Sequence, residues 1–126
     1  MEVKGKVQIA QQATFDQLVL ASPTPVVVDF WAPWCVYCRK LAPTYEGLAT
    51  QMSGELKFVT VNVDEERDLQ QRFGVSSLPT LKFFCSGREV GEFVGAAPRQ
   101  QLEAMFRQML RGYQECLDSS SPLKAG

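Results

Sequence analysis

Val26-Val27-Val28-Asp29-Phe30-Trp31-Ala32-Pro33-Trp34-Cys35-Val36-Tyr37-Cys38 is the stretch on which the fold turns. Its first six residues form a β-branched and aromatic run without apolar–polar alternation, the pattern of a central strand buried on both faces. Pro33 ends that strand. From Cys35 to about Met52 the apolar positions Leu41, Tyr45, Leu48 and Met52 recur at helical spacing. Pro43 lies inside this helix, where it removes a backbone donor and is expected to kink the helix rather than abolish it. A buried strand therefore delivers a cysteine to the first turn of a helix. Unsatisfied amide N–H groups and the positive dipole end favour a thiolate there. Cys38, one turn on, shares a helix face with Cys35. Cys35 is expected to be the exposed, attacking sulfur and Cys38 the deeper one.

Working outward, Val7 to Ala10 reads as an edge strand. Thr14-Phe15-Asp16-Gln17 has capping-box spacing and predicts a short helix to about Ala21. Leu56 to Val63 is a further strand, and Asp64 to Phe73 a short charged helix stopped by Gly74. Thr80 to Cys85 and Glu89 to Val94 flank the turn Ser86-Gly87 and predict a hairpin. Pro98 suits the first turn of a last helix, whose apolar stripe is Leu102, Phe106, Met109, Tyr113 and Leu117. Residues 1–117 read as one domain and 118–126, with Ser119-Ser120-Ser121-Pro122, as a frayed tail. The order βαβαβαββα predicts an α/β fold. Its central mixed sheet is parallel first and closes in an antiparallel hairpin, with helices on both faces.

Composition narrows the chemistry. The chain has 126 residues, a net charge of −1 and no histidine. That length suits one domain with its own core. The near-zero charge lacks the basic footprint of a nucleic-acid binder or a membrane-surface protein. Without histidine there is no Ser/His or Cys/His nucleophile pair. No apolar run reaches the ~18 residues of a membrane span, and the first twelve residues are too polar for a signal peptide. A cytoplasmic protein is expected.

A lone Cys-x-x-Cys is also half a zinc site, but a structural zinc site wants four ligands at compatible spacing. The remaining cysteines, Cys85 and Cys116, stand apart in sequence and form no second pair. No metal and no cofactor are expected, and Cys85 and Cys116 read as inert, half-buried small apolar residues. Asp29 stands out, because a carboxylate inside an apolar strand is costly unless paired. Its pKa should be raised. With no histidine in the chain, it is the best candidate to exchange a proton with Cys38. Arg39 and Lys40 read equally well as a solvated face or as modest support for a thiolate.

Taken together, Asp29, Trp31-Ala32-Pro33-Trp34-Cys35 with Cys38, Pro43, Leu78-Pro79-Thr80 and Val94-Gly95 resemble the thioredoxin family, in order over roughly residues 5 to 112. The resemblance implies the thioredoxin fold, a redox-active disulfide, protein-disulfide oxidoreductase activity and a cis peptide bond before Pro79. It also implies a substrate groove formed by Trp34, Leu78, Pro79, Val94 and Gly95, with Trp31 shielding the cysteines. Three positions depart from the family pattern. Val36-Tyr37 replaces the usual Gly-Pro, Thr60 stands where a buried Lys is common, and Ser77 replaces a common Gly.

The expected function is reduction of protein disulfides by the Cys35/Cys38 dithiol, in electron transport and cell redox homeostasis. The expected partners are protein disulfides and an unidentified reductase, with the chain a monomer. A thiol oxidase or isomerase of an oxidising compartment, and a redox-silent binding module, are the alternatives.

Overall fold

A computed structural model of the protein describes residues 6–120, with 113–120 described in backbone only. Five strands form one sheet: β1 (Val7–Ile9), β2 (Val26–Trp31), β3 (Lys57–Asn62), β4 (Thr80–Cys85) and β5 (Arg88–Val94). Their order is β1-β3-β2-β4-β5. β1 and β2 pair parallel with β3, whereas β4 runs antiparallel to both β2 and β5. This is the mixed sheet expected, with β2 at its centre and every β2 residue buried.

Alternation along the strands splits the core into two layers. On one face Val27, Phe58, Leu81 and Phe83 pack under α1 (Val36–Gln51) and α3 (Arg99–Ser120), through Leu41, Tyr45, Leu48, Leu102 and Phe106. On the other, Val26, Val28, Phe30, Val59, Val61 and Phe84 pack under Phe15, Val19 and Leu69. Leu69 belongs to α2 (Arg67–Arg72). Lys82, buried in β4, reaches Glu89 and Glu92 of β5, each at 2.7 Å, and so ties the hairpin together. In its turn Ser86 and Gly87 both take positive φ, 51° and 81°, a backbone twist that matches two paired strands.

Several boundaries differ from expectation, four of them with an identifiable cause. Asp16–Leu20 is a single π-helical turn with no side-chain cap. The capping box fails because the Thr14 hydroxyl bonds back to Gln11, accepting from its N–H at 3.0 Å. α2 starts at Arg67, since Asn62 holds the preceding residues in a turn by accepting the Asp64 N–H on Oδ1 and the Glu66 N–H on its carbonyl. Pro98 precedes α3, its carbonyl accepting the Leu102 N–H at 3.1 Å. α3 itself runs to Ser120, three residues into the stretch read as a tail, and residues 121–126 lie outside the described residues. The Tyr113 and Leu117 positions of its stripe belong to the part described in backbone only.

Candidate active site

The end of β2 and the start of α1 place the two cysteines. Ala32 and Pro33 carry the chain out of the sheet, and the Cys35 N–H donates to the Ala32 carbonyl at 3.1 Å. Cys35 is extended, at φ −86° and ψ 116°, and is the N-cap of α1 rather than a residue of its first turn. An N-cap side chain accepts from the open amides of the helix start. Here the Cys35 Sγ accepts the Cys38 N–H at 3.2 Å. The two cysteines are joined as a disulfide, their Cα atoms 5.2 Å apart.

Both sulfurs are shielded, against the expectation that Cys35 stands out. Cys35 is 7% exposed and Cys38 3%. Trp31 and Leu78 pack against the pair, so Trp31 does cover the cysteines. Charged neighbours are engaged elsewhere. Arg39 Nη1 donates to the Pro33 carbonyl at 2.8 Å, and the Lys40 ammonium lies 5.5 Å from the centre of the Tyr37 ring.

Around the disulfide lies an apolar rim. Trp34, Val36, Tyr37 and Val94 are exposed. The Leu78–Pro79 peptide bond is cis, and the Pro79 carbonyl accepts the Gly95 N–H at 2.8 Å. Thr80 lies in register with Val94, so the cis turn and the end of β5 are fixed to each other. Gly95 is demanded by its backbone, since φ is +104° and an added Cβ would meet nothing within 4 Å. One contributor was not legible in sequence spacing. Asp64, thirty positions after Trp34, accepts the indole Nε1–H on Oδ1 at 3.1 Å and fixes the exposed ring.

Asp29 sits in β2 between Val27, which packs under α1, and Trp31, which covers the cysteines; alternation puts all three on one face. It is 3% exposed. Its register partner in β3 is Thr60, whose hydroxyl donates to the Asp29 carbonyl at 3.3 Å and leaves the carboxyl alone. Among the described residues, Asp29 Oδ1 and Trp31 Nε1 are the buried side-chain atoms without a hydrogen-bond partner. Burial pushes the carboxyl up from its ordinary 3.8 to about 7. Below, the Tyr45 hydroxyl bonds the carbonyls of Val27 and Val59 at 3.0 and 2.7 Å. Burial first, and the Asp29 charge second, raise its pKa well above 10.

Beside this geometry, the thioredoxin family model matches residues 6–108. The chain belongs to the thioredoxin family. It is 44% identical over 98 residues to thioredoxin 1 of Nostoc sp., a match covering 78% of this chain and 92% of that protein. Against thioredoxin 1 of Synechococcus elongatus it is 48% identical over 90 residues, covering 71% and 84%. The chloroplastic M-type thioredoxin of Pisum sativum is 40% identical over 101 residues, and the match spans 80% of this chain but 59% of the pea protein. Family membership accounts for the mixed sheet, the cis bond before Pro79 and the paired cysteines at the start of α1.

Cys85 corrects an expectation. It is not a free apolar filler: it is buried at the end of β4 and is disulfide-bonded.

Proposed function

We propose that Cys35 is the attacking thiol, Cys38 the resolving thiol and Asp29 the proton acceptor of a protein-disulfide oxidoreductase. Membership of the thioredoxin family makes the chain a disulfide reductase acting through its dithiol. The observation that carries the assignment of roles is Cys35 at the N-cap of α1, its sulfur already accepting a helix amide.

In the reduced protein the Cys35 thiolate is stabilised by those amides and by the helix dipole. It attacks one sulfur of a substrate disulfide. A Cys35–substrate disulfide forms, the substrate S–S bond breaks, and the other substrate sulfur leaves as a thiolate. Cys38 then gives its proton to the Asp29 carboxylate and attacks the Cys35 sulfur. The second substrate thiolate leaves, and the enzyme holds the Cys35–Cys38 disulfide. Two electrons have passed to the substrate, and a reductase must restore them. A carboxyl that titrates near 7 exchanges a proton readily at neutral pH.

The apolar rim of Trp34, Leu78, Pro79, Val94 and Gly95 is our candidate for the substrate groove. Its cis turn presents the Leu78 backbone to an extended segment carrying the target disulfide. We further assign the chain to the cytoplasm as a monomer whose catalytic domain closes with α3. Among the described residues no helix is long and apolar enough to cross a membrane.

Trapping tests the roles. Cys38→Ser mixed with excess oxidised insulin should accumulate a covalent adduct on Cys35, released by dithiothreitol. An adduct that forms instead with Cys35→Ser, through Cys38, reverses the assignment.

A further inference from the structure

The apolar rim ends beside a cleft that the chemistry of the cysteines does not use. Residues 96–98 continue from Gly95 opposite the first turns of α1, and Tyr37, Lys40, Thr44, Ala96, Ala97 and Pro98 line about 300 Å³ between them. We propose that this cleft is a subsite of the substrate groove, taking an acidic side chain two or three residues from the substrate's target cysteine. The inference rests on the reading of Trp34, Leu78, Pro79, Val94 and Gly95 as that groove.

Charge points to the occupant. Lys40 is the one charged residue lining the cleft. Among the described residues no carboxylate pairs with its ammonium, which lies 5.5 Å from the centre of the Tyr37 ring. A lysine laid along an aromatic ring keeps its stem on apolar surface and its charge in water. The neighbouring cation, Arg39, is held by the Pro33 carbonyl. Tyr37 is 61% exposed, and with Ala96, Ala97 and Pro98 it offers apolar surface to the aliphatic stem of a Glu or Asp. Tyr37 is also one of the two residues that replace the family's usual Gly-Pro, so the wall against which Lys40 lies belongs to this chain's own sequence.

Helix geometry sets the position. Lys40 follows Cys35 by five residues, about 7.5 Å along the axis of α1, a distance that an extended segment covers in two or three residues. On the opposite flank the charge is reversed. β3 and β5 both run toward the cysteine end of the sheet, with β2 and β4 between them. Asp64 follows β3 and holds Trp34, and Glu65 and Glu66 come next. This acidic flank and the cleft after β5 are separated by three strand spacings, about 14 Å. An acidic residue is therefore drawn to the Lys40 side and repelled from the Trp34 side, which gives the groove a direction.

Peptide disulfides test the subsite. Three peptides are identical except for Glu, Gln or Lys, placed in turn two and three residues before and after the target cysteine. Each oxidised peptide is mixed with reduced protein. Its disulfide takes two electrons and becomes a dithiol, and the protein is left with the Cys35–Cys38 disulfide. Chromatography of the reduced peptide gives the second-order rate constant. Wild type should reduce the Glu peptide about three-fold faster than the Gln peptide at one or more of these positions, the size of one exposed ion pair. Lys40→Gln should abolish that difference, and Lys40→Glu should make the Lys peptide the fastest of the three. Altered reactivity of Cys35 would move all three peptides together, so their ratio reports the subsite. No preference for Glu over Gln at any position, or a preference that survives Lys40→Gln, overturns the proposal. The Gln peptide checks the underlying reading separately: it should be reduced by wild type and left intact by Cys35→Ser. Its reduction by Cys35→Ser overturns the assigned roles, and the subsite with them.

Discussion

Replacing Asp29 with Asn should stabilise the oxidised protein, and by an amount that depends on pH. In the unfolded chain the carboxyl loses its proton near 3.8, and in the folded chain near 7. Between these values the folded state holds one proton more, so stability falls as pH rises. The gap is about three pKa units, worth roughly 4 kcal/mol. Below pH 3.8 the penalty is absent; above about 7 it is complete. Asn fills the same space without a charge to desolvate. Guanidinium unfolding of wild type and Asp29→Asn from pH 4 to 9 should therefore show curves that diverge by about 1.4 kcal/mol per pH unit and run parallel above 7. Tyr45, the other ionisable group coupled to Asp29, stays neutral throughout this range, so the slope belongs to Asp29. A difference that does not change with pH would refute the reasoning, because it would mean the carboxyl is solvated or paired. The same substitution should slow release of reduced substrate more than its capture in single-turnover experiments, since only release requires Cys38 to lose a proton.

Iodoacetamide at low dose on reduced protein should label Cys35 before Cys38, and peptide mapping reads the order; label on Cys38 first would reverse the roles. Tyr37 keeps a backbone N–H at the helix start that the family's usual Pro lacks, and an added donor stabilises the thiolate form. Equilibration with glutathione should give a potential tens of millivolts less negative than the roughly −270 mV of thioredoxin, and Val36→Gly/Tyr37→Pro should move it back. An equally or more oxidising double variant would defeat that argument. Tyr45→Phe removes a hydroxyl that bonds two strand carbonyls; chemical denaturation should show a loss of about 1–3 kcal/mol, and a loss near zero would mean those carbonyls find other partners.

Much of the fold was legible because its signals are local. The unbroken apolar run at 26–31, the helical spacing after Cys35 and the Ser86-Gly87 turn each depend on neighbours in sequence, and each element formed where it was expected. The errors share a different cause. Thr14 had the spacing of a cap, yet its hydroxyl found the nearer partner in Gln11. The shortened α2 reflects one competing side chain, Asn62. Within the site, the cysteine pair and Asp29 were readable from residue type, whereas Asp64 was not. Its bond to Trp34 exists only because β2 and β3 are adjacent, and no spacing rule reports that. Cys85 was misread for the same reason: a cysteine's partner is set by three-dimensional proximity, and single cysteines far apart in sequence carry no pairing signal.

Reduction of insulin by dithiothreitol, followed by the turbidity of the freed B chain, addresses the central claim most directly. Wild-type protein in catalytic amounts should shorten the lag and raise the rate, and Cys35→Ser should return both to the uncatalysed values. Equal catalysis by wild type and Cys35→Ser, or none by wild type, would contradict disulfide reduction through the Cys35–Cys38 pair.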